Sequence, residues 1–288
     1  MLYRDFATQE ELDREYDVES IHPDFDGVVA RFLGLSEEAR THPGARFDVP
    51  FGPTVDEHVD IYPAAVEGPR PVLVFIHGGY WRILSSKEFA LAAPGPVARG
   101  VDVVVTNYSL APKVTLDEIT RQSRATIKWV HEHAASWGGD PGRIYVSGHS
   151  AGGQQTALLL ATDWEAEYRL PADVIKGGVP ISGVFDLRPL PYTWVAPALQ
   201  LSRRTVETQS PALLPPPDAA PLLIAWGGAE TAEFRRQSQD YLAQCRAAGV
   251  DAEGLELPGD DHFDAVIELN DPNSALTDAT LALIERTS

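Results

Sequence analysis

Gly148-His149-Ser150-Ala151-Gly152 sets a serine between glycines, at a junction that few folds use. The residues before it, Arg143–Ser147, read as a short buried strand, and a helical pattern runs on from Gly152 to Leu160. Glycines on both sides let the chain turn sharply without a Cβ clash, leaving the Ser150 hydroxyl exposed at the sheet edge. The string therefore demands strand, elbow and helix in direct succession. Two uses fit it: a nucleophile elbow, or a plain tight turn whose serine caps the helix.

The surrounding rhythm is that of a parallel sheet. Asp56–Tyr62 alternates as a half-buried strand should, while Pro71–Ile76 and Val101–Thr106 are short β-branched runs of the fully buried kind. Thr115–Trp137 has helical spacing, with Leu116, Ile119, Ile127 and Val130 at three- and four-residue steps or their multiples. Lys176–Ser182, Pro221–Trp226 and Ala252–Leu257 read as further strands, and Glu233–Ala248 and Ser274–Glu285 as helices. Strands alternating with helices imply an α/β fold of a single domain over 1–288, its mostly parallel sheet covered on both faces. Residues 1–45 are highly charged, with helical patterns at Gln9–Tyr16 and Pro23–Leu33, and read as a helical extension. Prolines crowd the stretch from about 186 to 220, which reads as an insertion capping the strand ends.

Composition excludes partners. With 23 basic and 42 acidic side chains the formal charge is −19, which disfavours nucleic acid and anionic membrane surfaces. No apolar run is long enough for a signal peptide or a membrane span, and Cys245 is the only cysteine, so a reducing, cytoplasmic setting is expected. A homodimer is left open. His131 and His133 sit two apart on a helical pattern, which spreads their rings around the axis, so no metal or other cofactor is expected.

A second string supports the elbow. His77-Gly78-Gly79-Tyr80-Trp81 directly follows the strand Pro71–Ile76. In the α/β-hydrolase fold the loop at this station supplies backbone N–H groups to an oxyanion hole, and glycine allows the close approach. Gly78 and Gly79 are the candidate donors, with Ala151 after the nucleophile, and His77 is read as structural. The triad in this fold runs serine, acid, histidine along the chain. His262 is the only histidine beyond Ser150, and it lies in a loop between the last strand and the last helix. The first carboxylate after Pro221–Trp226 is Glu230, the candidate acid; Glu233 is its rival, although a carboxylate in the first turn of a helix is favoured by the dipole alone. Asp260 and Asp261 adjoin the base and are expected to point elsewhere.

His77–Trp81 resembles the His-Gly-Gly-x-Trp string of kynurenine formamidases (arylformamidases) of the α/β-hydrolase type. Leu12–Tyr16, Asn107–Pro112, Gly148–Gly153, Ile181–Leu187, Glu230–Gln237 and Asp261–Phe263 are similar to passages of bacterial members, so the likeness spans nearly the whole chain. The resemblance implies a nucleophile at Ser150, a base at His262 and an acid at Glu230, where the family often has Asp. It also implies hydrolysis of N-formyl-L-kynurenine to L-kynurenine and formate. Relatives with such motifs hydrolyse other amides, esters or carbamates, and a broad carboxylesterase is the alternative. A silent ligand receptor would be expected to lack part of the triad. An aryl substrate calls for an aromatic pocket, for which Tyr80, Trp81, Phe185, Trp194 and Phe263 are the candidates; ordinary core or cap packing is the other reading for each.

Overall fold

The computed structural model describes residues 1–217 and 220–287. Its strands are β1 (Arg46–Pro50), β2 (His58–Tyr62), β3 (Arg70–Ile76), β4 (Asp102–Thr106), β5 (Gly139–His149), β6 (Ile175–Ile181), β7 (Leu222–Gly227) and β8 (Ala252–Leu257). They form one sheet in the order β1-β2-β4-β3-β5-β6-β7-β8. β2 runs antiparallel to both of its neighbours, β1 at the sheet edge and β4, and the remaining neighbours pair in parallel. The helices in chain order are α1 (Gln9–Tyr16), α2 (Val18–Ile21), α3 (Phe25–Ala39), α4 (Pro94–Ala98), α5 (Leu116–His133) and α6 (Ala151–Leu160). They continue as α7 (Trp164–Tyr168), α8 (Ala196–Leu199), α9 (Arg203–Gln209), α10 (Ala232–Ala247), α11 (Asp264–Ile267) and α12 (Ala275–Arg286). None of them is long and apolar enough to cross a membrane.

Residues alternate across each strand, so β3 feeds two cores. Val72, Val74 and Ile76 pack with residues of α5, α6 and α10, while Leu73 and Phe75 pack with those of α4, α11 and α12. α5 starts where the Thr115 hydroxyl accepts the Glu118 N–H, and buries Leu116, Ile119, Ile127 and Val130 along one stripe. Charged residues on buried strands are paired. Asp102 at the head of β4 takes the Arg70 guanidinium at 2.6 Å and the Ala64 N–H at 2.8 Å. β2 departs from a half-buried alternation because Arg40, at the end of α3, covers Asp60 with a 2.6 Å ion pair.

Two segments outside the sheet decide how the site is covered. The Pro-rich stretch holds α8 and α9 and packs sideways, with Thr120 Oγ1 of α5 and Gln154 of α6 hydrogen-bonded to Gln209. Asp218 and Ala219, at the end of that stretch, lie outside the described residues. The cover over the strand ends comes instead from α2 and α3. They are anchored by α1, where Tyr16 donates to Glu233 at 2.8 Å and its carbonyl accepts from the Tyr80 hydroxyl at 2.6 Å.

Candidate active site

Ser150 stands between β5 and α6 with φ 57° and ψ −113°, a region that L residues rarely occupy and that costs on the order of 1–3 kcal/mol. The surroundings enforce it: the Ser150 N–H donates to the Ile181 carbonyl at 2.9 Å, and its own carbonyl accepts from Gln154 N–H at 3.1 Å. A Cβ at Gly152 would lie 2.0 Å from the Ile76 carbonyl oxygen, so only glycine lets α6 start against the end of β3. The Ser150 side chain makes no capping hydrogen bond. That removes the plain helix-cap reading and leaves a hydroxyl held in reserve.

His262 follows β8 in a loop, with Nδ1 facing Glu230 Oε2 at 3.7 Å. Neither of these two buried atoms has another partner among the described residues. Glu230 is clamped through its other oxygen, which accepts from the Ser182 hydroxyl and, at 2.9 Å, from the Gly227 N–H. The loop is fixed from behind by His149, whose Nε2 lies 2.7 Å from the His262 carbonyl. Burial pushes the His149 imidazole well below its ordinary pKa, so it is a neutral N–H donor. Glu233 is elsewhere: Arg236 grips both of its oxygens at 2.6 and 2.7 Å, and the Tyr16 hydroxyl adds a third bond. Asp261 also points away from the imidazole. Its Oδ1 accepts the Phe263 and Asp264 N–H groups, and its Oδ2 meets His22 Nε2 at 2.9 Å.

The glycine loop abuts the elbow. His77 Nδ1 lies 2.7 Å from the Gly78 carbonyl, and the Tyr108 ring stacks flat on the imidazole at 3.9 Å. Burial holds His77 down at about 4, so the ring is neutral and Nδ1–H is the donor to that carbonyl. A trans peptide points its N–H opposite to its C=O, so the Gly79 N–H faces away from His77. Gly79 has φ 106°, and a Cβ there would lie 2.3 Å from the Ile83 carbonyl oxygen. Gly78 sits against His149, with space for a Cβ only 3.0 Å from its ring and carbonyl, and Ala151 is fully buried.

Gly79, Ser150 and His262 open onto one cavity of about 200 Å³. Its walls include Phe25, Val28 and Phe32 of the N-terminal cover, with Phe89 and Phe263. Phe32 meets Phe89 edge-on at 5.6 Å and Phe263 at 6.4 Å. Of the five aromatics expected to line a pocket, Tyr80 and Phe263 do so. The other three need correction. Trp81 is wholly buried and donates to Gln154 Oε1 at 3.2 Å, and Phe185 stacks on Tyr241 at 4.4 Å inside the core. Trp194 packs on Tyr80 and lies under the Arg82 guanidinium at 4.4 Å. The side chains that sequence reasoning missed, Phe25, Phe32 and Phe89, lie in segments with helical patterns or none. Their one available signal was an apolar stripe on α3 too broad for a single face: Val29 and Leu33 remain 40% and 43% exposed beside the buried Phe32. A roomier hollow of about 540 Å³, walled by His42, Tyr62 and Val97, contains none of the candidate catalytic residues.

Residues 73–264 match the family model described as alpha/beta hydrolase fold. The kynurenine formamidase of Danio rerio is 31% identical over 255 residues, covering 86% of this chain and 85% of that protein. This chain is a kynurenine formamidase-type α/β-hydrolase. The family extends toward esterases: carboxylesterase NlhH of Mycobacterium tuberculosis is 32% identical over 216 residues, 67% of this chain and 66% of that one. Among solved structures, a thioesterase candidate from Silicibacter sp. TM1040 superposes on this hydrolase with a TM-score of 0.80 at 29% identity, covering 96% of this chain and 99% of that chain.

Proposed function

We propose that this hydrolase cleaves the formamide of N-formyl-L-kynurenine to L-kynurenine and formate. The observation that carries the reading is the station of His262, which lines the Ser150 cavity while its Nδ1 is turned to the clamped carboxylate of Glu230. His262 takes the Ser150 proton as the oxygen attacks the formyl carbon, and Glu230 steadies the imidazolium that forms. The oxyanion is received by the N–H groups of Gly78, Gly79 and Ala151, the largest catalytic contribution in sites of this kind. His262 then protonates the departing aniline nitrogen. Water, deprotonated by the same imidazole, attacks the formyl ester and releases formate from Ser150. The 3.7 Å gap at Glu230 is of the kind that tightens once substrate is bound. The aryl ring rests against Phe32, Phe89 and Phe263, and the small formyl group needs no acyl tunnel.

The esterase kinship and the apolar walls favour a second reading, a carboxylesterase on the same machinery. Comparing kcat/KM for N-formylkynurenine with that for short p-nitrophenyl esters separates the two. A formamide preference is expected, and an ester preference of orders of magnitude would transfer the assignment to the esterases. Covalent labelling of Ser150 by a fluorophosphonate is expected in either case; absence of labelling in folded protein would make the chain a silent receptor.

A further inference from the structure

Beyond Tyr80 and the site's own His149, Ser150 and His262, the wall of the cavity is apolar except for two carboxylates, Glu19 and Glu88. Their situations differ. Glu19 is neutralised by Arg82, whose guanidinium reaches its two oxygens at 3.0 and 3.3 Å. Glu88 has no ion-pair partner among the described residues. The Ser85 hydroxyl donates to its Oε2 at 2.6 Å, and Oε1 accepts from no described group. Its backbone is held as well, since the Ser36 hydroxyl of α3 donates to the Glu88 carbonyl at 2.7 Å. A half-buried glutamate, fixed at two points, thus lines a cavity whose wall away from Ser150 and His262 is mostly phenylalanine, valine and leucine. Apolar walls weaken screening, so a single unpaired charge there acts more strongly than one on the open surface.

We propose that Glu88 is a specificity-determining residue whose free oxygen receives a cationic group, such as a primary ammonium, on the substrate arm that leads away from the scissile bond. The inference deepens the formamide reading and rests on it for the natural substrate, because the kynurenine side chain carries such an ammonium. The chemistry it names holds for esters as well. Glu88 takes no part in bond making; it binds and orients.

The test uses substrate pairs that differ only in charge: phenyl acetates and formanilides carrying either a 2-ammonioethyl or a 2-hydroxyethyl chain. In the full-length protein the ratio of kcat/KM, ammonium over hydroxyl, is expected to fall about tenfold in Glu88→Gln. The same ratio is expected to hold in Glu165→Gln, an exposed acid on α7. Added salt is expected to lower the wild-type ratio and leave that of Glu88→Gln nearly flat. A ratio unchanged by Glu88→Gln, whether both substrates slow equally or neither does, overturns the proposal. If formanilides are not turned over while esters are, the formamide reading fails and the ester pair still decides on Glu88. Calorimetric binding of 4-phenylbutylamine and 4-phenylbutanol needs no turnover. The amine is expected to bind about tenfold tighter in wild type and no tighter in Glu88→Gln, and equal affinity in wild type refutes the assignment.

Discussion

Glu230 and Glu233 are three positions apart, and their hydrogen bonds assign them to different tasks. Glu230 is held by the Ser182 hydroxyl and the Gly227 N–H with one oxygen left for His262, while Glu233 is spent on Arg236 and Tyr16. Glu230→Gln is therefore expected to lower kcat about 10³–10⁴-fold, the scale of losing the carboxylate that orients a catalytic imidazole. Glu233→Gln is expected to keep kcat within a few-fold and to cost about 2–4 kcal/mol of stability, because it unbalances a mostly buried ion pair. Steady-state kinetics beside thermal melts of both variants checks this; a Glu233 variant that lost activity without losing stability would reverse the assignment. Ser182→Ala removes a hydrogen bond to a charged group, worth about 1.5–3 kcal/mol, and is expected to cut kcat roughly tenfold or more while leaving KM near its starting value. The sequence offered no sign of Ser182, since a serine ending a strand looks the same whether or not it grips a carboxylate.

At the scale of elements, the cover over the site is the helical pair α2–α3. His22 and Arg31 tie it to the loop and helix that carry and follow His262, through Asp261 at 2.9 Å and Asp264 at 2.6 Å. Phe32→Ala empties space between Phe89 and Phe263 and is expected to destabilise the fold by about 3 kcal/mol. In assays well below the melting temperature, KM for aryl substrates is expected to rise more than kcat falls; unchanged KM would mean that the ring binds elsewhere. The elements were legible where local patterning sets them. Val72–Ile76 and Val103–Val105 are buried parallel strands and read so, and Gln9–Tyr16 is a helix with the same bounds in sequence and structure. β1 escaped notice because its residues are mostly exposed at a sheet edge, so Arg46-Phe47-Asp48-Val49-Pro50 carries no buried face to impose a period. The cover was placed in the wrong segment for a related reason. Proline marks irregular backbone but says nothing of which surface the segment lies on, and Phe263, the ring that Phe25 and Phe32 share, stands more than two hundred residues away. Trp81 and Phe185 show the same limit: composition cannot separate an aromatic that walls a cavity from one that fills the core.

The molecule as a whole is expected to respond to acid through its buried imidazoles. An imidazole in the unfolded chain titrates near 6.5, whereas folded His77 is held at about 4 and His149 is also lowered. Above pH 6.5 both states leave His77 neutral and it contributes no pH dependence. Between 6.5 and 4 the unfolded chain binds a proton that the folded one refuses, so stability is lost as pH falls, by about 1.4 kcal/mol per pH unit and about 3 kcal/mol in all. Asp260 works the other way. Burial and the neighbouring Glu268, Asp264 and Asp261 push it up to about 6, so lowering the pH from 6 toward 4 relieves it, weakly because it is partly solvated. The expected net result is a melting temperature that drops from pH 6.5 to 4.5, with a shallower slope in His77→Asn; equal slopes would place the acid sensitivity in other groups.

The pairing of α2–α3 with residues 261–264 also has a consequence in time. During synthesis the serine elbow leaves the ribosome roughly 5–20 s before His262, at ordinary elongation rates. Through that interval α2–α3 have only the loop at 82–89 to dock against, through Glu19, Ser36 and Phe32, and lack the partners at 261–264. Hydrolysis by a nascent chain is thus expected only after the loop carrying His262 has been laid against the Ser150 cavity.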